Sequence, residues 1–184
     1  KKVEGWVNDV RRLSVLGRTH PHQAYSLLVR CLLPRWRYTM RTMAVGAALF
    51  QSLEDAVVTF FFPEVFGWKP DDEALRRRCA LPSRHGGLGI PHVVRLAEQE
   101  RSSAAALTET LADAVLRQDA HHVEDQRVVR MRRVEWQRRR DLVYASIAEE
   151  LEKCLSGRAK RGFQEARMRW VRLARGSALR VPGA

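Results

Sequence analysis

Apolar side chains recur along this chain at intervals of three and four residues, the spacing that lines one face of a helix. Val3, Trp6, Val7, Val10, Leu13 and Leu16 form the first stripe, which Gly17 is expected to end. Pro21, just after His20, restarts a helix whose stripe is Ala24, Tyr25, Leu28, Leu32 and Trp36, with Pro34 expected to kink or break it. Met40, Met43, Ala47, Phe50, Leu53 and Val57 carry the pattern on to Phe62, where Pro63 is expected to stop it; this most hydrophobic stretch is the predicted core. Asp71-Asp72-Glu73, followed by Ala74, Leu75 and Arg76-Arg77-Arg78, predict a short helix with acids at its start and bases in its last turns, as the helix dipole favours. Pro91 opens a helix through Val94, Leu96, Ala97, Ala104, Ala105, Leu107, Leu111 and Val115, either continuous or divided near Ser102-Ser103. From about Glu124 to Leu155, Val128, Met131, Val134, Leu142, Ala145 and Leu151 predict a long helix, and a final basic one runs from about Arg158 to Leu173. Strand signals are absent. The predicted fold is all-α, an irregular helical bundle with a glycine-rich connector and long basic C-terminal helices, divided into a bundle over 1–120 and a basic helical extension over 121–184.

The connector is Leu81-Pro82-Ser83-Arg84-His85-Gly86-Gly87-Leu88-Gly89-Ile90. Gly86, Gly87 and Gly89 mark backbone that side chains would strain. Such a turn can cradle phosphate through its amides, but the lysine and spacing of a nucleotide-binding loop are missing. The favoured reading is a tight structural turn that positions the Pro91 helix.

Charge changes the picture. The chain of 184 residues carries a formal +12, and 28 of its 33 basic residues are arginine. Arginine's planar fork matches phosphate oxygens, so the bias suits a nucleic-acid backbone, although a GC-rich coding sequence would raise arginine and alanine together. Residues 1–120 hold 17 basic against 13 acidic side chains and residues 121–184 hold 16 against 8, so the C-terminal third carries the excess. Cys31, Cys79 and Cys154 are odd in number and widely spaced, the pattern of a reduced intracellular chain, with cytoplasm or nucleus the expected compartment. No apolar run reaches the roughly 18 residues of a membrane span, so no membrane partner is expected. The abrupt start at Lys1-Lys2-Val3 and the end at Val181-Pro182-Gly183-Ala184 read as an excised piece of something longer.

Catalytic chemistry finds little to stand on. Asp71-Asp72 read as a capped helix start rather than metal ligands, His20 and His22 lack a third ligand, His121-His122 share that weakness, and no nucleophile elbow is present. The stronger constellation is basic and aromatic. Arg132, Trp136 and Arg139 or Arg140 share a helix face, where guanidinium groups can reach phosphates beside an indole that either stacks or packs, and Arg127, Arg130, Arg133 and Arg138 add charge nearby. Arg35, Trp36, Arg37, Tyr38 and Arg41 form a second group, in which Trp36 and Tyr38 cannot face the same way and one is expected to enter the core. Arg167, Arg169, Arg172 and Arg175 around Trp170 repeat the theme.

With these residues laid out, the chain resembles the region that follows the polymerase core in retrotransposon-type reverse transcriptases, the RNA-directed DNA polymerases of eukaryotic mobile elements. The resemblance rests on Lys2-Val3 with Trp6 and Leu13, Pro21-His22-Gln23-Ala24-Tyr25, Trp36-Arg37-Tyr38 with Arg41-Thr42, Leu53-Glu54, Pro63, the run Leu81 to Ile90, Ser102-Ser103 and the Thr108 to Gln118 segment. It covers residues 1 to about 120 and loosens in the arginine-rich remainder. It implies that fingers and palm lie upstream in the same polyprotein, and that this piece is the thumb and an adjoining helical region. The family's catalytic aspartates, with the magnesium they hold, belong to an aromatic-Ala-Asp-Asp motif of the palm that does not occur in these 184 residues.

The sequence therefore points to a non-catalytic, thumb-like module that holds a primer–template duplex, RNA–DNA or DNA, by its backbone and carries no cofactor of its own. Arg35, Arg37, Arg41, Arg84, Arg132, Arg139 and Arg140 are the expected backbone contacts, with Trp136 as the anchor. The alternative is a helical protein–protein interaction module with a basic face, which predicts an exposed apolar strip beside the arginines.

Overall fold

The computed structural model describes residues 2–43, 45–119, 125–155, 157, 160–165 and 168. All regular structure among them is helical: α1 (Lys2–Thr19), α2 (Pro21–Leu27), α3 (Leu33–Thr42), α4 (Gln51–Ala56), α5 (Phe62–Phe66), α6 (Glu73–Ala80), α7 (Val93–Leu116) and α8 (Gln126–Cys154). The protein is all-α. None of these helices is long and apolar enough to cross a membrane. His121-His122 and the Arg167, Arg169, Trp170, Arg172 and Arg175 group lie outside the described residues.

The chain divides into two compact units, each assembled from two separate stretches: residues 1–70 with 92–139, and residues 71–91 with 140–184. In the first unit α1 packs on α2, α4 and α5, while α3 packs on α7. Its core holds Trp6, Val10, Leu28, Trp36, Met40, Phe50, Leu53, Val57, Phe61 and Phe62. Trp6 stacks on Phe50 at 6.2 Å between ring centroids and tilts against Trp36 at the same distance, so three helical segments meet on one indole. The apolar run from Ala47 to Phe62 is the core the sequence marks out.

Neither Pro34 nor Pro63 breaks the helix it lies in. The stretches Leu28–Leu32 and Val57–Phe61 are π-helical, each beginning six residues before a proline and ending two before it. Proline has no N–H to give and its ring crowds the carbonyl four residues back. Widening one turn re-pairs the ladder: Leu33 N–H donates to the Leu28 carbonyl and Phe62 N–H to that of Val57. The helix thus runs through Pro63 to Phe66, and the stop is Gly67, whose φ of +73° suits glycine and whose N–H donates to the Pro63 carbonyl at 2.9 Å.

Two further expectations shift. Gly17 lies inside α1 rather than ending it; a Cβ there would stand 2.6 Å from Val65 Cγ2, so the glycine lets α1 close on α5. The helical pattern expected from Met40 to Phe62 is interrupted, because Met43 is extended and Gly46 precedes a short 3-10 turn, Ala47–Phe50, before α4. Helix α7 is undivided, with Ser102 Oγ donating back to the Glu98 carbonyl instead of breaking it.

Helix α7 starts without a cap of its own, since the His92 side chain bonds none of the first amides. Buried Glu54, from α4, supplies it: Oε2 accepts from Val93 N–H at 2.7 Å, placing a carboxylate on the positive end of the helix.

In the second unit Leu81, Ala148, Leu151 and Phe163 form a small core, with Tyr144 and Ile147 against it. Asp72 caps α6 by accepting from Leu75 N–H, the structural part the sequence assigned to it. Buried Arg76 then donates to the carbonyls of Ile90 and Pro91, each at 2.9 Å, tying the end of the glycine turn to α6.

Candidate nucleic-acid interface

The glycine turn spends its amides internally. His85 and Gly87 donate to the Pro82 carbonyl, Gly86 to Ser83, Gly89 to Leu81 and Ile90 to Cys79. Gly86 and Gly89 take φ of +81° and +68°, while Gly87 is excluded from having a side chain for another reason: a Cβ would lie 2.1 Å from the Leu81 carbonyl oxygen and 2.5 Å from that of Arg78. These three glycines build a tight connector. A phosphate cradle would need those N–H groups unspent and pointing outward.

The basic residues divide by what they touch. Arg37 and Arg41 of α3 converge on Glu100 of α7, a carboxylate 4% exposed. Arg41 donates through Nε to Oε2, and Arg37 Nε stands 3.5 Å from Oε1, close enough for charge attraction but not aligned as a hydrogen bond. Arg35 is exposed on the same helix, Trp36 is fully buried, and Tyr38 points to solvent, which settles which ring enters the core. In the second unit Arg84 pairs with Asp141 and also reaches His85 Nε2 at 3.3 Å.

Helix α8 carries the rest. Asp125 caps it by accepting from Arg127 N–H at 2.7 Å, and its first fifteen residues, Gln126 to Arg140, hold seven arginines against one acid, Glu135. Residues 141–154 reverse the balance, with Asp141, Glu149, Glu150 and Glu152 against Lys153. Arg127 in the first turn meets the positive end of the helix dipole, and the arginines that follow place like charges at neighbouring helical positions. The pattern weakens the helix it is written on.

Among the arginines singled out from sequence, Arg132 is half-buried and donates to Thr110 Oγ1 of α7 at 3.1 Å, and Arg139 pairs with Glu135 one turn back at 2.9 Å. Arg140 is exposed. Arg130, Arg133 and Arg138 are exposed too, and none of these four meets a carboxylate among the described residues. Trp136 is half-buried, with Arg132, Arg133, Arg139 and Arg140 at its four neighbouring positions one turn before and after it. An open concavity along the first two turns has Gln126, Arg127, Val129, Arg130, Met131 and Arg133 as its described lining. Met131, Val134 and Leu142 are also exposed on α8, each more than half.

Sequence reading had no signal for Glu54 and Glu100, since a buried carboxylate looks like any surface acid until its partner, 39 or 59 residues away, is brought to it. Among the described residues no group of three or more His, Cys, Asp or Glu is arranged to hold a metal ion. No family model, curated protein or solved structure matches the chain.

Proposed function

We propose that this chain is a helical, non-catalytic module that grips nucleic acid by its phosphate backbone, in the manner of the thumb of a retrotransposon-type reverse transcriptase whose palm and fingers lie upstream. The observation that carries the reading is the first half of α8, where seven arginines stand against one acid and crowd like charges onto neighbouring helical positions. A polyanion relieves that repulsion, and phosphates answer it without regard to base sequence. Arg130, Arg133, Arg138 and Arg140 are the contacts this reading puts first, because each is exposed and lacks a carboxylate partner among the described residues. Arg37, Arg41, Arg84, Arg132 and Arg139 have protein partners and would contribute through the donors those partners leave over.

The test is binding of a labelled RNA–DNA hybrid, and of an unrelated DNA duplex, across a salt series. Binding is expected to be sequence-independent and steeply salt-dependent. Arg133→Ala/Arg138→Ala/Arg140→Ala should flatten the log–log slope by about 2–3, near one unit for each phosphate no longer neutralised. A folded sample that binds neither probe at low salt overturns the reading.

One observation favours a second reading, a protein-interaction module with a basic face: exposed Met131, Val134 and Leu142 lie among the arginines of α8. In that case Met131→Ser/Val134→Ser abolishes capture of the partner while the salt slope for nucleic acid stays shallow and unchanged.

A further inference from the structure

The second candidate surface is the outer face of α3, and it is independent of the reading of α8. Trp36 fills the core completely, so the aromatic demand of this segment is met without Tyr38, whose ring is 70% exposed. On the helix Arg35 and Arg41 occupy the positions three before and three after Tyr38, one on either side of the ring, and Arg37 stands one turn before Arg41. A flexible surface arginine samples many rotamers; these cations are not all free to do so. Buried Glu100 accepts from Arg41 Nε and attracts Arg37 at 3.5 Å, yet the two side chains remain 52% and 38% exposed, so the carboxylate anchors one guanidinium and draws the other in without covering either. One buried negative charge thereby gathers two positive ones beside an open aromatic ring, and the locus keeps a net positive charge.

We propose that this face is a site for single-stranded nucleic acid, at which an unpaired base stacks on Tyr38 while Arg41 and Arg37 on one side and Arg35 on the other take the adjoining phosphates. A ring standing out from a convex helix has to meet a base by its face. Inside a duplex those faces are covered by neighbouring bases; in a single strand they are open. The arginines alone would accept either form, so Tyr38 is what selects the unpaired one.

Fluorescence anisotropy on the full chain tests this, with a fluorescein-labelled oligodeoxythymidine single strand and a blunt DNA duplex of equal length as probes. Tyr38→Ala is expected to weaken the single strand about tenfold and leave the duplex unchanged, while Tyr38→Phe keeps the wild-type affinity for both, since stacking needs the ring and not the hydroxyl. Because Tyr38 is exposed, the variants are expected to keep the wild-type circular dichroism spectrum. As a second readout, 5-iodouracil placed in the single strand should crosslink on irradiation to the peptide containing Tyr38. An unchanged single-strand affinity in Tyr38→Ala, an equal loss on both probes, or displacement of the single strand by polyglutamate as readily as by polyphosphate overturns the proposal. The α8 triple variant separates the two sites. If it leaves duplex binding intact while Tyr38→Ala still weakens the single strand, the α8 reading fails and this one stands; the converse result removes this one alone.

Discussion

Helices α6 and α8 are both rich in arginine, and they use it in opposite ways. In α6 the acids come first and Arg77 and Arg78 come in the last turn, with the dipole. Every arginine there is engaged inside the protein. Arg76 bonds two carbonyls, Arg77 pairs with Glu150 at 3.1 Å, and Arg78 lies 5.0 Å over the Phe163 ring. In α8 the arginines crowd the first four turns, and six of the seven have no carboxylate partner among the described residues. Composition alone scores the two helices alike. What separates a cation that builds the fold from one that faces outward is where the partner sits.

The sharpest way to break this contrast is Arg76→Ala. It strips donors from two buried carbonyls and is expected to cost about 3–5 kcal/mol in denaturant unfolding, with Arg76→Lys recovering part of it. Gly87→Ala comes next: the carbonyls of Arg78 and Leu81 are backbone atoms that cannot swing aside, so the turn against α6 must open, at about 2–3 kcal/mol by the same measurement.

Cys79, on α6, sharpens the comparison in a milder way. Burial pushes its thiol from the ordinary 9.0 up to about 11, an effect that Arg76 and Arg78 only partly offset. The folded chain therefore keeps this proton where the unfolded chain has lost it. The thiol's contribution to stability is complete below pH 9 and declines as pH rises towards 11. At neutral pH a thiol reagent should label exposed Cys31 and Cys154 quickly and Cys79 only on unfolding, counted by mass spectrometry.

The smallest effect has the opposite sign. Arg127→Gln in the first turn of α8 is expected to stabilise the protein by about 0.5 kcal/mol while weakening duplex binding, whereas Arg77→Gln in the last turn of α6 should destabilise it. A loss of stability in both helices would show that the α8 arginines serve the fold.

Much of this was legible in the sequence. The three- and four-residue periodicity marks the helices and Asp72 announces itself as a cap, because these depend on neighbours in the chain. The parts that were not legible depend on distance. Gly17 resembles a helix stop until Val65 arrives beside it, and Glu100 resembles a surface acid until α3 brings two arginines to it. The same holds for the arginines of α3: Arg37 and Arg41 were readable as basic, but that both are drawn to Glu100 while Arg35 is exposed was not. Pro63 misled for a different reason, since the turn that accommodates it lies wholly upstream of it.

Those two wide turns also set the angular phase of everything after them. A residue added to a helix advances it by about 100° without adding a full turn, so each π stretch is a rotation written into the chain. Were the same residues of Leu28–Leu32 to form an ordinary ladder, with none removed, α3 would swing round by about that angle. Trp36 would leave the indole stack, and the face now turned to solvent would turn with it. Which side of α3 is core and which is surface is thus decided by one extra residue a turn earlier, and not by anything in α3 itself.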